Sequence, residues 1–564
     1  MAQTVESRHT DLNNLITHNE SKTTNLKFMN GKANGISNGY NKPPVHDTVI
    51  KTETKYTGLP PLMDWSQFED VAPCESVYSS LLTALLTHLG LYILMILGFV
   101  NQLLFTPKVA TEKNREGYAP LYDPFEQFYS RYVYRRVRHC FNQPICSAPS
   151  AEITIMSRHS DDHNWSFRLT GGKEHCINLG SYNYLGLGAA TGARSDVTAA
   201  VRSYGLASSS SCAELGTTPP QRRLERAIAS FLGTEDAIAF GMGFATNALS
   251  LPALLGPRSL ALSDEKNHAS LILGLRLARA TVQVFRHNDL RHLEQLARRA
   301  LLQRRYDRIV IVVEGVYSME GSVAPIRALV ALKQHLGLAL YVDEAHSVGA
   351  VGPGGRGALA LHGVHPSEID VLMGTFTKSF GAAGGYIAGS AALVNAIRAS
   401  GHAHTYAGAM APCVAAQAEW ALRQLEGEKG EMLTRRLRRR TRQFRRRLAQ
   451  MRARTLGAAA SPVVPVLVYT FSKMAATVER LRARGFAVVG VGFPATPLNE
   501  ARIRFCLSAG LSRRQVDECA DAMEAVVKEL GLQYGPAFAA PAPPDVDTDT
   551  GTNTDSDTDI HTEM

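Results

Sequence analysis

Lys378 stands alone among small and hydroxyl-bearing residues in the segment GTFTKSFGAAGG, residues 374–385. The apolar segment DVLMGTF, residues 370–376, leads into it, so its amine is expected where a buried strand ends. A lysine amine in such a place can bond covalently to an aldehyde or act as a base. Many lysines at strand ends are simply solvated, and the interpretation therefore depends on what the rest of the chain holds.

Three further predicted strands also end in residues suited to binding or catalysis. The segments that follow or end these strands are GMGFATN at 241–247, EGVYSMEG at 314–321 and DEAHSVG at 343–349. In parallel sheets, ligand-binding groups collect beyond the carboxyl ends of the strands. We therefore expect the glycine-rich turn, Asp343, His346 and Lys378 to share one edge of a sheet.

Together these parts predict a site for pyridoxal phosphate. Glycines before a helix let backbone N–H groups approach a phosphate, and Lys378 supplies the amine for the aldehyde. Asp343 would keep the pyridine nitrogen protonated, which makes the ring an electron sink. Two opposite charges ~4 Å apart interact by roughly 4 kcal/mol at an effective dielectric constant of ~20, enough to raise the pKa of that nitrogen by about 3.

The elements that must position these residues follow an alternating pattern from about 150 to 430. Short apolar segments, at 236–240, 308–315, 338–346 and 370–376, alternate with amphipathic ones such as QRRLERAIASFLG at 221–233. This alternation predicts an α/β fold with a mostly parallel sheet covered by helices. A smaller α+β unit should follow, with strands at 486–493 and 501–509 and a helix at 513–532.

Composition divides the chain into segments. We predict a disordered N-terminal segment (1–60), a transmembrane helix (77–105), an N-terminal connecting segment (110–178), a large pyridoxal-phosphate-binding domain (179–430), a small C-terminal domain (431–535) and a disordered acidic tail (536–564). Both ends are poor in apolar segments and rich in polar or low-complexity sequence, which argues against a packed core there.

The segment from 76 to 106 contains no Asp, Glu, Lys or Arg. About 20 apolar residues suffice to cross a bilayer, and a buried core helix is the alternative. Acidic residues precede the segment, whereas Lys108, Lys113 and Arg115 follow it. A basic flank marks the cytoplasmic side, so we expect a single-pass protein whose larger, C-terminal region is cytosolic.

The formal net charge of +9 is concentrated in an arginine-rich segment, residues 435–454. Its apolar residues, Leu437, Phe444, Leu448 and Met451, suit one stripe of a helix. Two interpretations stay open for the opposite face, a solvated surface and a contact with acidic lipid headgroups.

We expect no nucleic-acid partner, since no such binding motif occurs. We expect no metal site either, since none of the eight cysteines forms a CxxC pair.

Seven segments resemble the catalytic long-chain-base subunits of serine palmitoyltransferase, a branch of the α-oxoamine synthases. They read GTFTKSFGAAGGYIAG, YVDEAHSVGAVGPGGRG, VEGVYSMEGS, SDEKNHASLILG, INLGSYNYLG, NQPICSAP and VVGVGFPATPLNEARIRFCLSA. The resemblance extends over residues 65–535. It implies a fold-type-I, aspartate-aminotransferase-like transferase fold with a smaller C-terminal α+β domain.

The resemblance also implies roles for single residues. Lys378 would carry pyridoxal phosphate, Asp343 would pair with the ring nitrogen, His346 with the ring hydroxyl, and His268 would stack on the ring. Gly243, Phe244 and Thr375 would hold the phosphate, Ser318 would line the pocket, and Arg504 would grip the carboxylate of the amino acid. The implied reaction is a decarboxylating condensation of L-serine with a long-chain acyl-CoA, palmitoyl-CoA, to 3-ketosphinganine, which begins sphingolipid synthesis.

The implied location is the endoplasmic reticulum membrane. The implied partner is the non-catalytic long-chain-base subunit 1, as a heterodimer, and the family also has small activating subunits and regulators. Cys212 and Gln221 stand where the family usually has Arg and often His, and Gly510 and Leu511 where it usually has Ala-His. We place the segments that contain Cys212, Gln221 and Leu511 near the interface with the partner. Alternatives are another enzyme of the branch, such as aminolevulinate synthase, and a non-catalytic subunit.

Overall fold

The computed structural model describes residues 59–68, 81–104, 117–119 and 134–536, apart from 163 and 165. Nearly all of the predicted terminal segments, 1–60 and 536–564, lie outside these ranges, as does much of the first part of the connecting segment. The domain boundaries drawn from the sequence therefore stay predictions.

Helices and strands alternate through most of the described chain. The α-helices are α1 (Leu81–Leu104), α2 (Arg135–His139), α3 (Arg194–Tyr204), α4 (Pro219–Leu232), α5 (Gly243–Leu254), α6 (Ala269–Leu277), α7 (Leu290–Gln303), α8 (Ile326–Leu336), α9 (Gly357–Leu361), α10 (Ala391–Ser400), α11 (His402–Tyr406), α12 (Pro412–Leu425), α13 (Glu428–Gln450), α14 (Phe471–Ala483) and α15 (Arg513–Leu530).

The strands fall into three sheets. They are β1 (Glu152–His159), β2 (Arg168–Asn178), β3 (Asp236–Phe240), β4 (Ser259–Asp264), β5 (Thr281–Phe285), β6 (Arg308–Glu314), β7 (Ala339–Asp343), β8 (Val371–Thr375), β9 (Gly385–Gly389), β10 (Val463–Tyr469), β11 (Phe486–Ala487), β12 (Val489–Val491) and β13 (Ala501–Cys506).

A seven-stranded sheet forms the centre of the fold, in the order β3-β9-β8-β7-β6-β4-β5. Strand β9 runs opposite to the other six, which are parallel to one another. Every residue of β4, β7, β8 and β9 is buried, as expected where helices cover both faces of a sheet and the strands are apolar throughout. The predicted mostly parallel sheet is confirmed.

The register of the central strands aligns their carboxyl ends. Glu314, the last residue of β6, pairs with Asp343, the last residue of β7, and Asp343 pairs with Met373 of β8. Residues that directly follow these strands must therefore emerge at the same edge, where the functional side chains were expected.

Two smaller sheets combine distant parts of the chain. Strands β10, β13 and β12 form an antiparallel sheet. In the other sheet β1 and β2 are antiparallel, and β11 runs parallel to β2. The single strand predicted at 486–493 is wrong, because β11 pairs with β2 while β12 pairs with β13. The chain changes sheets between Ala487 and Val489, a switch that an unbroken apolar segment does not reveal.

Helix α1 has 24 residues and contains a candidate membrane span, Leu81–Asn101, with a mean hydropathy of 2.0. A helix of this length extends about 36 Å, enough for the hydrocarbon core of a bilayer. Only 6% of its most apolar window is buried. That exposure contradicts the alternative of a core helix, and the described residues therefore contain one helix that fits a membrane span.

Helix α13 contains most of the predicted arginine-rich helix, although it begins earlier, at Glu428, and ends at Gln450. The predicted apolar stripe is confirmed, because Leu437, Phe444 and Leu448 are buried.

Candidate functional site

Lys378 lies three residues beyond the end of β8, and its side chain is half-buried. Its Nζ donates a hydrogen bond to Oγ1 of Thr375 over 3.1 Å. Burial lowers the pKa of the Lys378 amine, while the carboxylates of Asp343 and Glu314 act in the opposite direction. The amine thus deprotonates more readily than that of a solvated lysine, as a nucleophile or base requires.

Asp343 ends β7 with a side chain that is 4% exposed. Its Oδ2 accepts a hydrogen bond from Nδ2 of Asn247 over 2.7 Å, and its Oδ1 accepts one from the N–H of Ala345 over 2.9 Å. These two donors fix the orientation of the carboxylate at the edge of the sheet. The charge of Asp343 acts to raise the pKa of both Lys378 and His268, so the three groups lie close together.

Asn247, on α5, was not singled out from the sequence. Besides donating to Asp343, its Nδ2 lies 2.9 Å from Oγ of Ser270, and its Oδ1 accepts from the hydroxyl of Tyr341 over 2.7 Å. Ser270 in turn contacts Nδ1 of His268 over 2.7 Å. One buried amide therefore connects the carboxylate to the histidine expected to stack on the ring.

His268 precedes α6 and caps its first turn, since its Nδ1 accepts from the N–H of Ser270. The ring meets that of Phe244 edge to face, with centroids 5.9 Å apart. Partial desolvation lowers the pKa of His268; Asp343 opposes that change and Lys378 adds to it. At neutral pH the ring is uncharged, a state suited to stacking.

Glu314 is a second buried carboxyl group beside Asp343, and the sequence reasoning missed it. Its Oε1 accepts from the N–H of His268 over 2.6 Å. Burial, and next the charge of Asp343, raise the pKa of Glu314 well above its ordinary value. Its position could have revealed it, because Glu314 is a charged residue at the end of the apolar segment that forms β6.

His346 is buried between two tyrosines that the sequence reasoning did not assign. Its Nδ1 lies 2.8 Å from the hydroxyl of Tyr184, and its ring meets that of Tyr182 edge to face at 4.7 Å. Burial, with Lys378 and Arg504 adding to it, lowers the pKa of His346 well below its ordinary value. His346 is therefore neutral and held in one orientation.

Arg504, on β13, is 6% exposed and lies over the ring of Tyr182, with the guanidinium carbon 4.4 Å from the ring centroid. One guanidinium nitrogen contacts Sδ of Met319 over 3.5 Å. Its buried Nε has no hydrogen-bond partner among the residues that the structure describes. Ser318 lies beside Tyr182 and thus belongs to the same wall.

The turn after β3 leads directly into α5, whose first residue is Gly243. The N–H groups of a helix's first turn have no partner within the helix, and they favour anions. A Cβ added at Gly243 would lie 3.1 Å from Cγ2 of Thr375 and 3.2 Å from the carbonyl oxygen of Gly384. Glycine thus allows this helix start to approach Thr375, and Phe244 follows it in the first turn.

The fold therefore brings all nine predicted site residues to one edge of the central sheet. These residues fit pyridoxal phosphate by their chemistry. Lys378 offers an amine, Asp343 offers a fixed carboxylate, and the start of α5 offers N–H groups for a phosphate. Arg504 adds a buried guanidinium donor that lacks a partner, as expected for a group that binds a substrate carboxylate.

Two of the departures from the family pattern contact each other. Sγ of Cys212 lies 3.5 Å from Nε2 of Gln221, which also donates to the carbonyl of Ala239. Gln221 is 1% exposed and Leu511 is fully buried within this chain. Neither side chain can itself contact a partner, and the expectation that their segments lie near the interface stays a prediction.

Comparison with known proteins identifies the family. The model of class I and II aminotransferases matches residues 174–523. The human protein named serine palmitoyltransferase 3 is 43% identical over 434 residues, which cover 75% of this chain and 79% of the relative. The chain belongs to the serine palmitoyltransferase family. The Dictyostelium discoideum protein named serine palmitoyltransferase 2 is 44% identical over 425 residues, or 72% of this chain and 87% of the relative.

Solved members of the family share the fold. The serine palmitoyltransferase of Sphingomonas wittichii has a TM-score of 0.66 and 27% identity, and the match covers 73% of this chain and 100% of that one. A solved serine palmitoyltransferase that contains pyridoxal phosphate has a TM-score of 0.65 and 26% identity, with the same coverage. The predicted fold-type-I architecture is confirmed.

Proposed function

We propose that this chain is the catalytic subunit of a serine palmitoyltransferase that binds pyridoxal phosphate and condenses L-serine with a long-chain acyl-CoA, releasing CO₂ and 3-ketosphinganine. The observation that carries this proposal is the position of Lys378. Its amine has a lowered pKa, lies beside the fixed carboxylate of Asp343, and adjoins the helix start at Gly243 through Thr375.

Each residue then has a distinct task. When bound, pyridoxal phosphate supplies an electron sink for the negative charge that develops on the α-carbon of serine. Nζ of Lys378 would hold the cofactor and would accept the α-proton of serine. Asp343 would pair with the ring nitrogen and His346 with the ring hydroxyl, while His268 would stack on the ring.

The start of α5 at Gly243 and Phe244, with Thr375, holds the phosphate. Arg504 grips the serine carboxylate until it leaves as CO₂, and Ser318 lines the same wall. Because a guanidinium offers two parallel N–H groups, it fixes a carboxylate in position as well as in charge.

The partner in this proposal is the related, non-catalytic long-chain-base subunit. Three large apolar side chains are exposed: Met242 at 62%, Leu215 at 96% and Tyr406 at 79%. Met242 directly precedes α5, and α11, which ends at Tyr406, packs against both α5 and the segment 212–216 that contains Leu215. Leu215 also has a left-handed φ of 67°, which is unusual for leucine. A neighbouring subunit that covers this area would bury all three. The small activating subunits and regulators of the family stay predictions.

We place the protein in the endoplasmic reticulum membrane, with α1 as its single span and the catalytic region in the cytosol. The exposed, apolar α1 supports the span, and the basic residues after it support the orientation. Protease added to sealed microsomes should digest the catalytic region. Full protection of that region would reverse the orientation, and extraction by alkaline carbonate would exclude the span.

The decisive experiment is to co-express the chain with its partner subunit and measure 3-ketosphinganine formed from serine and palmitoyl-CoA. Borohydride reduction should fix the cofactor on the peptide that contains Lys378. Lys378→Ala should fold but lose both the product and the labelled peptide. Lys528→Ala, which removes an exposed lysine paired with Glu524, is the matched control and should keep both.

Two results would reject the proposal. Turnover by Lys378→Ala at the normal rate would remove the lysine from catalysis. Condensation with glycine but not serine would instead favour another enzyme of the branch, such as aminolevulinate synthase. Full activity of the chain alone, unchanged by the partner, would contradict the heterodimer only.

A further inference from the structure

A serine, a histidine and an aspartate at the carboxyl edge of the central sheet form a hydrogen-bonded series that the proposed reaction does not use. Asp264 ends β4, His287 follows β5 by two residues, and Ser322 lies between β6 and α8. Nε2 of His287 lies 2.7 Å from Oγ of Ser322, and its Nδ1 lies 2.9 Å from Oδ1 of Asp264. These are the parts and the order of a hydrolytic triad.

The carboxylate of Asp264 sets the proton positions on His287. It also accepts from the N–H groups of Lys266 and Asn288, over 2.8 and 3.0 Å, so its orientation is fixed. Because a carboxylate only accepts hydrogen bonds, Nδ1 of His287 carries the proton that binds it. Nε2 of the neutral ring is then an acceptor, and the hydroxyl of Ser322 donates to it, as a serine activated by a general base requires.

Other contacts between serine and histidine in the described chain are of a different kind. His268 and His365 each bind the serine two residues later through Nδ1, and both histidines cap a helical turn. His287 instead binds through Nε2 a serine that is 35 residues away in sequence, while its other nitrogen binds a carboxylate. Local capping therefore does not explain the contact between His287 and Ser322.

The surroundings of Ser322 suit a nucleophile. Ser322 is partly exposed, whereas His287 and Asp264 behind it are 7% and 2% exposed. The N–H groups of Ser322 and Val323 donate to no other residue that the structure describes. Such N–H groups beside a nucleophile can stabilise the negative charge that develops on the oxygen of an attacked carbonyl group.

Tyr317 separates these side chains from the proposed cofactor site. Its ring meets that of His287 edge to face, with centroids 4.4 Å apart, and its hydroxyl accepts from the N–H of Glu314 over 3.3 Å. Tyr317 is fully buried. The two groups of side chains thus lie at the same edge of the sheet but have no residue in common.

We propose that Ser322, His287 and Asp264 form a second, hydrolytic site that cleaves carboxylic esters and thioesters. Oγ of Ser322 attacks the carbonyl carbon while Nε2 of His287 takes its proton. The C–O or C–S bond then breaks, and this proton goes to the leaving alkoxide or thiolate. Water attacks the acyl-serine, His287 takes a proton from the water and returns it to Oγ, and the carboxylic acid leaves. The inference goes beyond the proposed function, since it uses neither the cofactor nor a residue assigned to it.

The test treats the full chain, co-expressed with the proposed partner subunit, with a fluorophosphonate. Oγ of an activated serine bonds to phosphorus, the P–F bond breaks, and fluoride leaves while the histidine takes the hydroxyl proton. Peptide mass spectrometry should find the adduct on Ser322. Ser322→Ala and His287→Gln should each hydrolyse p-nitrophenyl acetate at least about 10-fold more slowly than the wild type.

Ser367→Ala is the matched control. Oγ of Ser367 lies 2.8 Å from Nδ1 of His365, whose ring binds no carboxylate among the described residues, so this variant should keep the adduct and the rate. Unchanged melting temperatures would show that the variants are folded, and the adduct on the wild-type chain tests the proposal without any variant. Enzyme treated with borohydride, which cannot condense, should still hydrolyse the ester, so failure of the proposed function is distinguishable.

Two results would overturn the proposal. One is a wild-type chain that carries no fluorophosphonate adduct on Ser322. The other is a folded Ser322→Ala variant that hydrolyses p-nitrophenyl acetate at the wild-type rate, because the three side chains would then only stabilise the loops at this edge of the sheet.

Discussion

The side-chain amide of Asn247 donates to Oδ2 of Asp343 over 2.7 Å, across 96 residues of sequence. The same amide is held by Tyr341 and Ser270, so its own orientation is fixed. Asp343 has one other donor among the described residues, the N–H of Ala345. The carboxylate that we propose acts on the ring nitrogen is thus aimed by a residue on α5, the helix whose first turn we propose holds the phosphate.

Replacing Asn247 with Ala should lower kcat for condensation about 10- to 100-fold. A lost hydrogen bond to a charged group corresponds to roughly 1.5–3 kcal/mol, and each 1.4 kcal/mol is a factor of ten. Steady-state kinetics should show the change in kcat rather than in the KM for serine. Ser250→Ala is the control on the same helix, since the buried hydroxyl of Ser250 has no partner among the described residues. Equal activity of the two variants would contradict a positioning role.

The buried carboxyl of Glu314 should make stability depend on pH. Its pKa is raised, so the folded state favours the protonated form, and stability is lost as pH rises above the unfolded value of about 4.3. Glu314→Gln removes this titration but keeps an acceptor for His268. We subtract the melting temperature of the wild type from that of the variant, both free of cofactor. This difference should increase from pH 4 to neutral pH, because the variant has no buried carboxyl group to ionise. A difference that is constant with pH would contradict the buried, protonated carboxyl.

Arg504→Lys should mainly raise the KM for serine, by about 10- to 100-fold, because an ammonium group cannot reproduce the two parallel bonds of a guanidinium to a carboxylate. Arg502, two residues away, provides the contrast. It is fully buried and bonds to Glu500 and to the carbonyl of Met319, so Arg502→Lys should lower the melting temperature instead. Kinetics and thermal unfolding of both variants separate these roles. The same defect in both would show that Arg504 is structural.

Gly243→Ala should weaken binding of pyridoxal phosphate, whereas Gly510→Ala should not. At Gly243 an added Cβ meets Thr375 and Gly384 at 3.1 and 3.2 Å, which forces the helix start away from Thr375. At Gly510 the closest atoms would lie at 3.5 to 3.7 Å, an ordinary contact. Overpacking costs about 1–3 kcal/mol, so the cofactor Kd should rise about 5- to 100-fold for the first variant. Titrating each variant with pyridoxal phosphate and following the absorbance of the cofactor measures the two dissociation constants. Equal affinities would contradict the close approach of the start of α5 to Thr375.

Much of the central sheet was predictable because its strands are apolar throughout. Strand β3 has the predicted bounds of 236–240, and β6, β7 and β8 lie within the predicted segments. Strand β9 was missed, since its sequence GYIAG follows a glycine-rich turn and looks like part of it. It becomes a strand only because β3 and β8 flank it and satisfy its backbone groups.

The site was predictable to the extent that residue type reveals a role. Lys378, Asp343 and His346 follow apolar strands and have few structural uses there. Asn247 and Glu314 were missed because their roles depend on the register of neighbouring strands and on the packing of α5, which the sequence does not state. An asparagine or a glutamate can have many different roles in a protein, so the residue type alone did not predict these two.

The pairing of β3 with β9 also bears on the order in which the protein is assembled during synthesis. Among the strands that the structure describes, β3 pairs only with β9, which follows about 145 residues later. At 5–20 residues per second, a ribosome needs roughly 7–30 s to supply that neighbour. Until then the apolar edge of β3 is unpaired, and the turn at Gly243 has no support from Gly384. A nascent chain therefore cannot retain the cofactor early, and a chaperone that shields β3 during this interval should increase the yield of loaded enzyme.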